Sequence, residues 1–404
     1  MVNVAVLGYG TVGSGVVEVL SRNAKVLEKS AGQEINLKYV LDLKEFPGTP
    51  IEKKVVHDFN IILNDDDVSI IVEVMGGVNP AYSFVKSALL KGKSVCTSNK
   101  ELVAKHGAEL LGIAKEKNVN FFFEASVAGG IPIIRPLEQC ITADEVLEVS
   151  GILNGTTNFI LTKMEKEGAS YDEVLAQAQK LGYAERNPEA DVEGFDAGRK
   201  IAILSSIISR KQVDFEKVYT EGITKVSAGD FAYAAKLGVT IKLVAKSCVT
   251  DAGMYVMVTP RMLRYGKPLA SVHDVVNAVC VKGNMLGDVM FYGAGAGKLP
   301  TASAVVSDIV DAVRHAGEYV NNGWSQEKQE LISIDEVENS FYVRMEGNAA
   351  EKEAELEKLF GGVTICDNVI DGEFAFVTGS IKEAEFAKAA CSLKGIKNTI
   401  RIEL

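Results

Sequence analysis

The chain has 404 residues, 47% of them hydrophobic, with 37 glycines, 9 prolines and a formal net charge of -11. That length supplies two or three domains with their own cores, and the glycine-rich, proline-poor composition suits an α/β enzyme and argues against disorder. The acidic balance excludes a basic nucleic-acid footprint, and no apolar run approaches the ~20 residues of a membrane span. No charged-then-apolar leader opens the chain, so the expectation is a cytoplasmic protein that binds neither nucleic acid nor membrane.

Val2 to Leu7 is a short valine-rich run with the pattern of a buried strand. The loop Gly8-Tyr9-Gly10-Thr11-Val12-Gly13 follows, and Val12, Val16, Val19 and Leu20 then recur at helical spacing. Ile35 to Leu41 reads as a second strand ending at Asp42, which completes one right-handed βαβ unit. The alternation continues with a strand at Val68 to Val74, a turn at Gly76-Gly77, a helix over Asn79 to Lys91 and a strand at Ser94 to Thr97. A helix over Lys100 to Lys117 and a strand over Val119 to Glu124 extend it. Strands alternating with helices in this way predict a doubly wound parallel sheet.

The character changes near Ala128-Gly129-Gly130-Ile131-Pro132. Strands at Glu145 to Leu153 and Val239 to Val249, with helices at Thr157 to Glu167, Tyr171 to Leu181 and Phe195 to Ser209, read as a mixed α+β region. A second glycine-rich turn, Gly293 to Gly297, precedes a helix from Thr301 to His315 expected to return to the first domain. The last stretch runs strand Phe341–Met345, helix Ala349–Phe360, strands Thr364–Ile370 and Glu373–Thr378, helix Lys382–Leu393 and strand Thr399–Ile402. That β-α-β-β-α-β order predicts a separate ferredoxin-like module. The expected fold is therefore α/β with three parts. A Rossmann-type dinucleotide-binding domain covers 1–131 and is completed by about 296–330. A mixed catalytic and dimerisation domain covers 132–295, and the ferredoxin-like domain covers 338–404.

A G-x-G-x-x-G loop gains meaning from its context, here directly after a strand and at the start of a helix. The first glycine makes the turn, Gly10 admits the pyrophosphate to the backbone, and Gly13 lets helix and strand approach. Unpaired N–H groups at the helix start, including those of Thr11 and Val12, attract phosphate. Asp42 stands 29 residues beyond Gly13, where an acid hydrogen-bonds the ribose hydroxyls of NAD and repels the 2′-phosphate of NADP. Lys44, Lys53 and Lys54 lie close enough in sequence to meet that phosphate, so both dinucleotides stay open. The cysteines Cys96, Cys140, Cys248, Cys280, Cys366 and Cys391 and the histidines His57, His106, His273 and His315 are scattered, which gives no zinc or thiol-redox pattern.

Further motifs carry a resemblance. They are Ser98-Asn99-Lys100, Glu124-Ala125-Ser126-Val127-Ala128-Gly129-Gly130-Ile131-Pro132, Gly151-Ile152-Leu153-Asn154-Gly155-Thr156-Thr157-Asn158, Gly182-Tyr183-Ala184-Glu185, Asp196-Ala197-Gly198-Arg199-Lys200 and the run from Gly295 to Val305. With them the chain resembles the homoserine dehydrogenases along essentially its whole length. The family interconverts L-aspartate 4-semialdehyde and L-homoserine with NAD(P)H on the branch toward threonine, methionine and isoleucine. Its members are usually dimers or tetramers built around the middle domain, and many carry a regulatory, amino-acid-binding (ACT-like) module at the carboxy terminus.

On the pattern alone, Asp196 and Lys200 share a helix face and fit either a surface ion pair worth ~0.3–0.5 kcal/mol or a poised ammonium beside a reacting carbonyl. The resemblance makes Lys200 the catalytic lysine, Lys100 a second lysine near nicotinamide and substrate, and Asp196 a supporting acid. It assigns Glu185 and Asp191 to the substrate, and Ser98, Gly182 and Gly297 to the dinucleotide. It also implies a sodium site at Glu124 with the carbonyls of Val127, Gly129 and Ile131, since a hard ion takes oxygen ligands. Without it, that loop reads as an interdomain hinge. Many relatives place an arginine before the acid at the end of the second strand, where this chain has Leu41, which again leaves NADP or NAD open. Two alternatives stand beside this reading: a related dehydrogenase of the same architecture, and a catalytically inactive dinucleotide-binding amino-acid sensor.

Overall fold

The computed structural model describes residues 1–320 and 323–404. Among them, the early strands form a six-stranded parallel sheet. It consists of β1 (Val2–Leu7), β2 (Ile35–Leu41), β3 (Val55–Val56), β4 (Val68–Glu73), β5 (Ser94–Thr97) and β6 (Phe121–Phe122), in the order β3-β2-β1-β4-β5-β6. Helices α1 (Thr11–Arg22), α2 (Ala24–Ala31), α3 (Phe59–Leu63), α4 (Ala81–Leu90) and α5 (Lys100–Lys117) supply the crossovers. A parallel sheet covered on both faces needs continuous apolar strands, and Val4, Ala5, Val6 and Leu7 are fully buried. Helix Lys298–Arg314 returns to this sheet and packs on α1, with Val305 and Ile309 joining Val16 and Leu20 in one core.

Strand register brings the loops that matter to one edge. Leu7 pairs with both Leu41 and Glu73, and Glu73 pairs with Thr97. The four strand ends are therefore level, and Gly8, Asp42, Val74 and Ser98 leave the sheet side by side. The order of strands reverses between β1 and β4, the crevice where open α/β sheets take their ligands.

Val119 to Glu124 is strand only at Phe121–Phe122, and Glu124–Ser126 turns as a 3₁₀ helix. The backbone N–H of Glu124 donates to Asp308 Oδ2 at 3.0 Å rather than to a neighbouring strand.

The chain divides into two compact units. One is Met1–Glu145, Ala202–Glu216 and Phe291–Gln329; the other is Val146–Ile201, Lys217–Met290 and Glu330–Leu404. After β6 the elements are β7 (Val146–Ile152), α6 (Gly155–Glu167), α7 (Tyr171–Lys180), α8 (Glu189–Val192), α9 (Phe195–Ser209), β8 (Lys211–Gln212), β9 (Tyr219–Thr220) and α10 (Ala228–Leu237). Four long strands follow: β10 (Val239–Thr250), β11 (Gly253–Arg264), β12 (Val276–Gly283) and β13 (Gly287–Ala294). Then come α11 (Lys298–Arg314), β14 (Ser325–Lys328), β15 (Glu338–Glu346), α12 (Ala349–Phe360), β16 (Val363–Cys366), β17 (Glu373–Thr378), β18 (Ile381–Lys382), α13 (Glu383–Ala390) and β19 (Ile396–Glu403).

The main path of the second sheet is β13-β12-β7-β10-β11-β19-β15-β17-β16. Strands β15, β17, β16 and β19 pair antiparallel among themselves. Phe341, Val343, Phe374, Phe376 and Phe386 form their core, with the Phe341 and Phe386 rings stacked at 3.6 Å. This last stretch does not stand apart as the sequence suggested. Its strand β19 runs parallel to β11, pairing Arg401 with Arg261, so the edge of β11 is covered. Charges lock that seam: Arg261 Nη1 donates to Glu403 at 3.0 Å, and Arg401 donates to Glu221 at 2.7 Å and Glu383 at 2.6 Å.

Candidate active site

Two of the three loop glycines are demanded by geometry. Gly8 has φ +96, in the left-handed region. A Cβ on Gly13 would lie 1.9 Å from the Gly8 carbonyl oxygen. A Cβ on Gly10 would meet nothing within 4 Å, so the loop is open where a phosphate must approach. Gly10 is also the cap residue of α1 and offers no side-chain hydrogen bond to it, and the first turn holds no acid. The N–H groups of that turn thus face the opening with their partial positive charge unopposed. These features fit a dinucleotide pyrophosphate.

Asp42 closes the loop from the neighbouring strand. Its Oδ2 accepts from the Tyr9 N–H at 2.8 Å and its Oδ1 from the Lys44 N–H at 3.0 Å. Lys54, a candidate phosphate partner from the sequence, instead donates its ammonium to the Leu37 carbonyl. His57, isolated in the sequence, bridges the Asp42 carbonyl and the Glu45 carboxylate, each at 2.7 Å. The Asp42 carbonyl and then Glu45 hold its proton affinity above the ordinary histidine value.

Glu73 escapes sequence reasoning too. It ends β4 fully buried, and its carboxylate accepts from the Met75 N–H at 2.8 Å and the Thr97 hydroxyl at 2.7 Å. Burial pushes its pKa up. Thr97 in turn accepts from the Asn99 N–H, and Asn99 caps α5 by accepting from the Leu102 N–H at 3.1 Å. This relay fixes Ser98 and half-buried Lys100, the first residue of α5, at the level sheet edge. A Glu directly after the apolar run Ile70-Ile71-Val72 is the signal that could have found it.

The Glu124 loop is tightly built. The Glu124 carboxylate accepts from the backbone N–H groups of Ile133, Ile134 and Arg135 at 2.6–2.8 Å. It is therefore committed as an anchor, and a cation here would draw on main-chain carbonyls. Ala128 and Gly129 both have φ +56, and a Cβ on Gly129 would lie 2.3 Å from the Gly295 oxygen. Val127 and Ile131 are buried beside them. Gly297 caps α11 with φ +117, again a glycine conformation.

In the other unit, α9 carries the predicted lysine. Lys200 Nζ donates to Asp196 Oδ2 and to the Leu153 carbonyl, both at 2.7 Å, with 12% of its side chain exposed. Asp191, on α8, joins through Asn154, whose amide nitrogen donates to Asp191 at 2.7 Å and to Asp196 at 3.0 Å. The structure thus brings Lys200, Asp196 and Asp191 into one network. Asn154 is an addition, a motif residue to which the sequence alone assigns no role. Glu185 lies exposed on the loop after α7, outside the network of Lys200, Asp196, Asn154 and Asp191, and its carbonyl accepts from Gln179 at 3.2 Å. Gly182 has φ +77 and ends α7. A buried ammonium held by one carboxylate and one carbonyl can present a proton to a reacting oxygen, since lysine carries three N–H donors.

The glycine loop at the switch point of the parallel sheet in one unit, and the oriented lysine carried by the other, are features of a nicotinamide-dependent oxidoreductase. Comparison with known proteins narrows the class. A family profile described as "Homoserine dehydrogenase, NAD binding domain" matches residues 8–124, and one described as "Homoserine dehydrogenase" matches 132–310. The homoserine dehydrogenase of Bacillus subtilis (strain 168) is 43% identical over 320 residues, covering 78% of this chain and 73% of that protein. The crystal structure of a homoserine dehydrogenase from Thiobacillus denitrificans superposes with a TM-score of 0.91 at 34% identity, covering 100% of this chain and 98% of the other. A hyperthermophilic archaeal homoserine dehydrogenase solved with NADPH has a TM-score of 0.66 at 29% identity, over 77% of this chain and 97% of that one. The chain belongs to the homoserine dehydrogenase family. Nothing in these comparisons supports the catalytically inactive sensor.

Proposed function

We propose that the chain interconverts L-homoserine and L-aspartate 4-semialdehyde in the branch leading to threonine, methionine and isoleucine. The observation that carries this reading is the Lys200 ammonium, fixed at 2.7 Å by both Asp196 and the Leu153 carbonyl. Bound at Gly8, Gly10, Thr11, Val12 and Gly13, with Ser98, Gly182 and Gly297 as further contacts, the dinucleotide supplies or accepts the hydride. Lys200 polarises the substrate carbonyl and moves the proton at its oxygen. On this reading Lys100 serves the nicotinamide and the substrate, while Glu185 and Asp191 take the substrate ammonium.

NAD is the preferred dinucleotide on this reading. The Asp42 carboxylate is pinned where ribose hydroxyls would donate to it, and Lys54 is turned to the Leu37 carbonyl. Sodium is a further ligand, held by the carbonyls of Val127, Gly129 and Ile131 in the loop that Glu124 anchors. The assay is homoserine-dependent formation of reduced nicotinamide with NAD and NADP in parallel, in sodium and in potassium buffer. Turnover with higher kcat/KM for NAD, faster in sodium, is expected. No turnover with either dinucleotide overturns the function; a preference for NADP overturns the role of Asp42; equal rates in the two salts overturn the cation site.

The domain division proposed is 1–131 with about 296–330, then 132–295, then 338–404, assembled as a homodimer or homotetramer in the cytoplasm. Residues 338–404 form a ferredoxin-like, ACT-like module for an amino-acid effector. The strand order β19-β15-β17-β16, antiparallel throughout, supports that reading. Calorimetric titration of the full chain with threonine, methionine and isoleucine should give saturable heat with at least one; flat titrations with all three remove the effector site.

A further inference from the structure

The two-residue link Leu153-Asn154, between β7 and α6, supplies both fixed points of the lysine group. It has little freedom. A Cβ on Gly151 would lie 2.7 Å from the Ala278 oxygen, and one on Gly155 would lie 2.9 Å from the Val275 oxygen, so the link is wedged against β12 and the turn before it. Asn154 itself is 6% exposed. Its Oδ1 accepts from the Thr157 N–H at 2.9 Å and the Thr157 hydroxyl at 3.1 Å. Its Nδ2 donates to Asp191 Oδ1 at 2.7 Å and to Asp196 Oδ2 at 3.0 Å. An asparagine amide has two donor hydrogens and two acceptor lone pairs; both donors are engaged, the oxygen accepts the Thr157 N–H, and the one hydroxyl hydrogen of Thr157 is shared between that oxygen and the Asn154 carbonyl, each at 3.1 Å. The capped N–H of Thr157 also forbids the flipped amide, which would set its NH₂ against a donor.

We infer that Asn154 is a positioning residue for the reaction. The inference rests on the function proposed above. A neutral double donor holds Asp191 and Asp196 at fixed places without neutralising either, so Lys200 is left as the charged group between them and the reacting oxygen. The Asp196 oxygen that binds Asn154 is the same Oδ2 that binds Lys200. Losing the donor removes one of the contacts that orient this shared oxygen and so disturbs the ammonium bonded to it. An error of ~1 Å at a reacting group costs on the order of 100-fold in rate.

Asn154→Asp separates this role from helix capping, because aspartate caps as well as asparagine. It presents a third carboxyl to Asp191 on α8 and to Asp196 and Lys200 on α9, the titratable groups that its hydrogen bonds place against this position. Like charges raise the proton affinity of such a carboxyl. When protonated it still donates one hydrogen bond; when ionised it donates none.

The experiment is the pH profile of kcat for homoserine oxidation from pH 6 to 10, with KM for the dinucleotide and the thermal midpoint, for the parent chain, N154D and N154S. N154D should lose about 10- to 100-fold in kcat at the alkaline end and recover toward the parent as pH falls, with dinucleotide KM unchanged. N154S, which keeps a capping hydroxyl but spans neither carboxylate, should lose kcat at every pH. Parent-like kcat and profile in N154D overturn the inference, as does a pH-independent loss that only follows the thermal midpoint. If the parent itself does not turn over homoserine, it is the proposed function that fails.

Discussion

Lys200→Met should lower kcat for homoserine oxidation by about 10²- to 10⁴-fold, the usual worth of a positioned proton donor, while dinucleotide affinity stays that of the parent. Methionine matches the length of the lysine stem and fills the same buried space, so packing on α9 is kept. What disappears is the ammonium donating at 2.7 Å to Asp196 and to the Leu153 carbonyl. Asp196 keeps its bond from Asn154 at 3.0 Å and is not orphaned, which limits any loss of stability. Lys200→Arg should not restore the rate, because a planar guanidinium cannot occupy the place of a compact ammonium. Steady-state kinetics with a fluorescence titration of reduced dinucleotide check the split. A kcat within about threefold of the parent would remove the lysine from proton transfer, since the role demands at least ~100-fold.

Arg135→Met should destabilise the first unit by ~3–5 kcal/mol, the cost of stripping one partner from a buried ion pair. Arg135 Nη2 donates to Asp308 at 2.5 Å and Nε to Asp311 at 3.0 Å, and both acids lie on α11. Asp308 is 1% exposed. Burial drives its carboxyl pKa upward, and Arg135 is the nearest opposing charge. A carboxyl whose folded pKa is raised contributes stability below its unfolded pKa and loses it as pH climbs through the folded value. Without Arg135 that folded value rises further, so the penalty grows as pH moves above the ordinary carboxylate pKa of ~4. Urea unfolding of parent and variant at pH 5 and pH 8 should show the gap widening at pH 8. A constant or vanishing gap would mean that the arginine does not hold α11.

The legible parts of the fold are those where a single period dominates. Helices α9 and α12 are readable at their observed limits, because apolar residues recur along one face and a glycine follows α12 as an αL cap. Strand β11 is not. Pro260 stands in its middle, and proline is excluded from paired strands. The structure accommodates it because β9 pairs with β11 at Met257 and Val258, and β19 pairs from Arg261 onward, so Pro260 falls in the gap where no N–H is required on that side. Strand β13 alternates exposed and partly buried residues and includes two glycines, a pattern too weak to separate from a loop.

In the site, Lys200 with Asp196 is visible because i,i+4 spacing is a local property. Asn154, Glu73 and His57 are not, because their meaning lies in partners 12 to 42 residues away in the chain. Asp42 is legible as the acid that ends the second strand, but the hold of its carboxylate on the glycine loop through Tyr9 is not.

The return of α11 to the first sheet has a consequence for biosynthesis. Gly15 on α1 lies so close to this helix that a Cβ would sit 2.7 Å from the Lys298 oxygen, and Ala302, Val305 and Ile309 complete the core around Val16. A ribosome that has released β1 to β6 has therefore delivered a sheet that still lacks part of its cover. The nascent segment must wait through the synthesis of nearly the whole intervening region before its covering helix emerges, at the usual pace of about 5–20 residues per second. During that interval its apolar flank is open to chaperones, and a fragment ending before Lys298 would be a client for them rather than a free-standing dinucleotide binder.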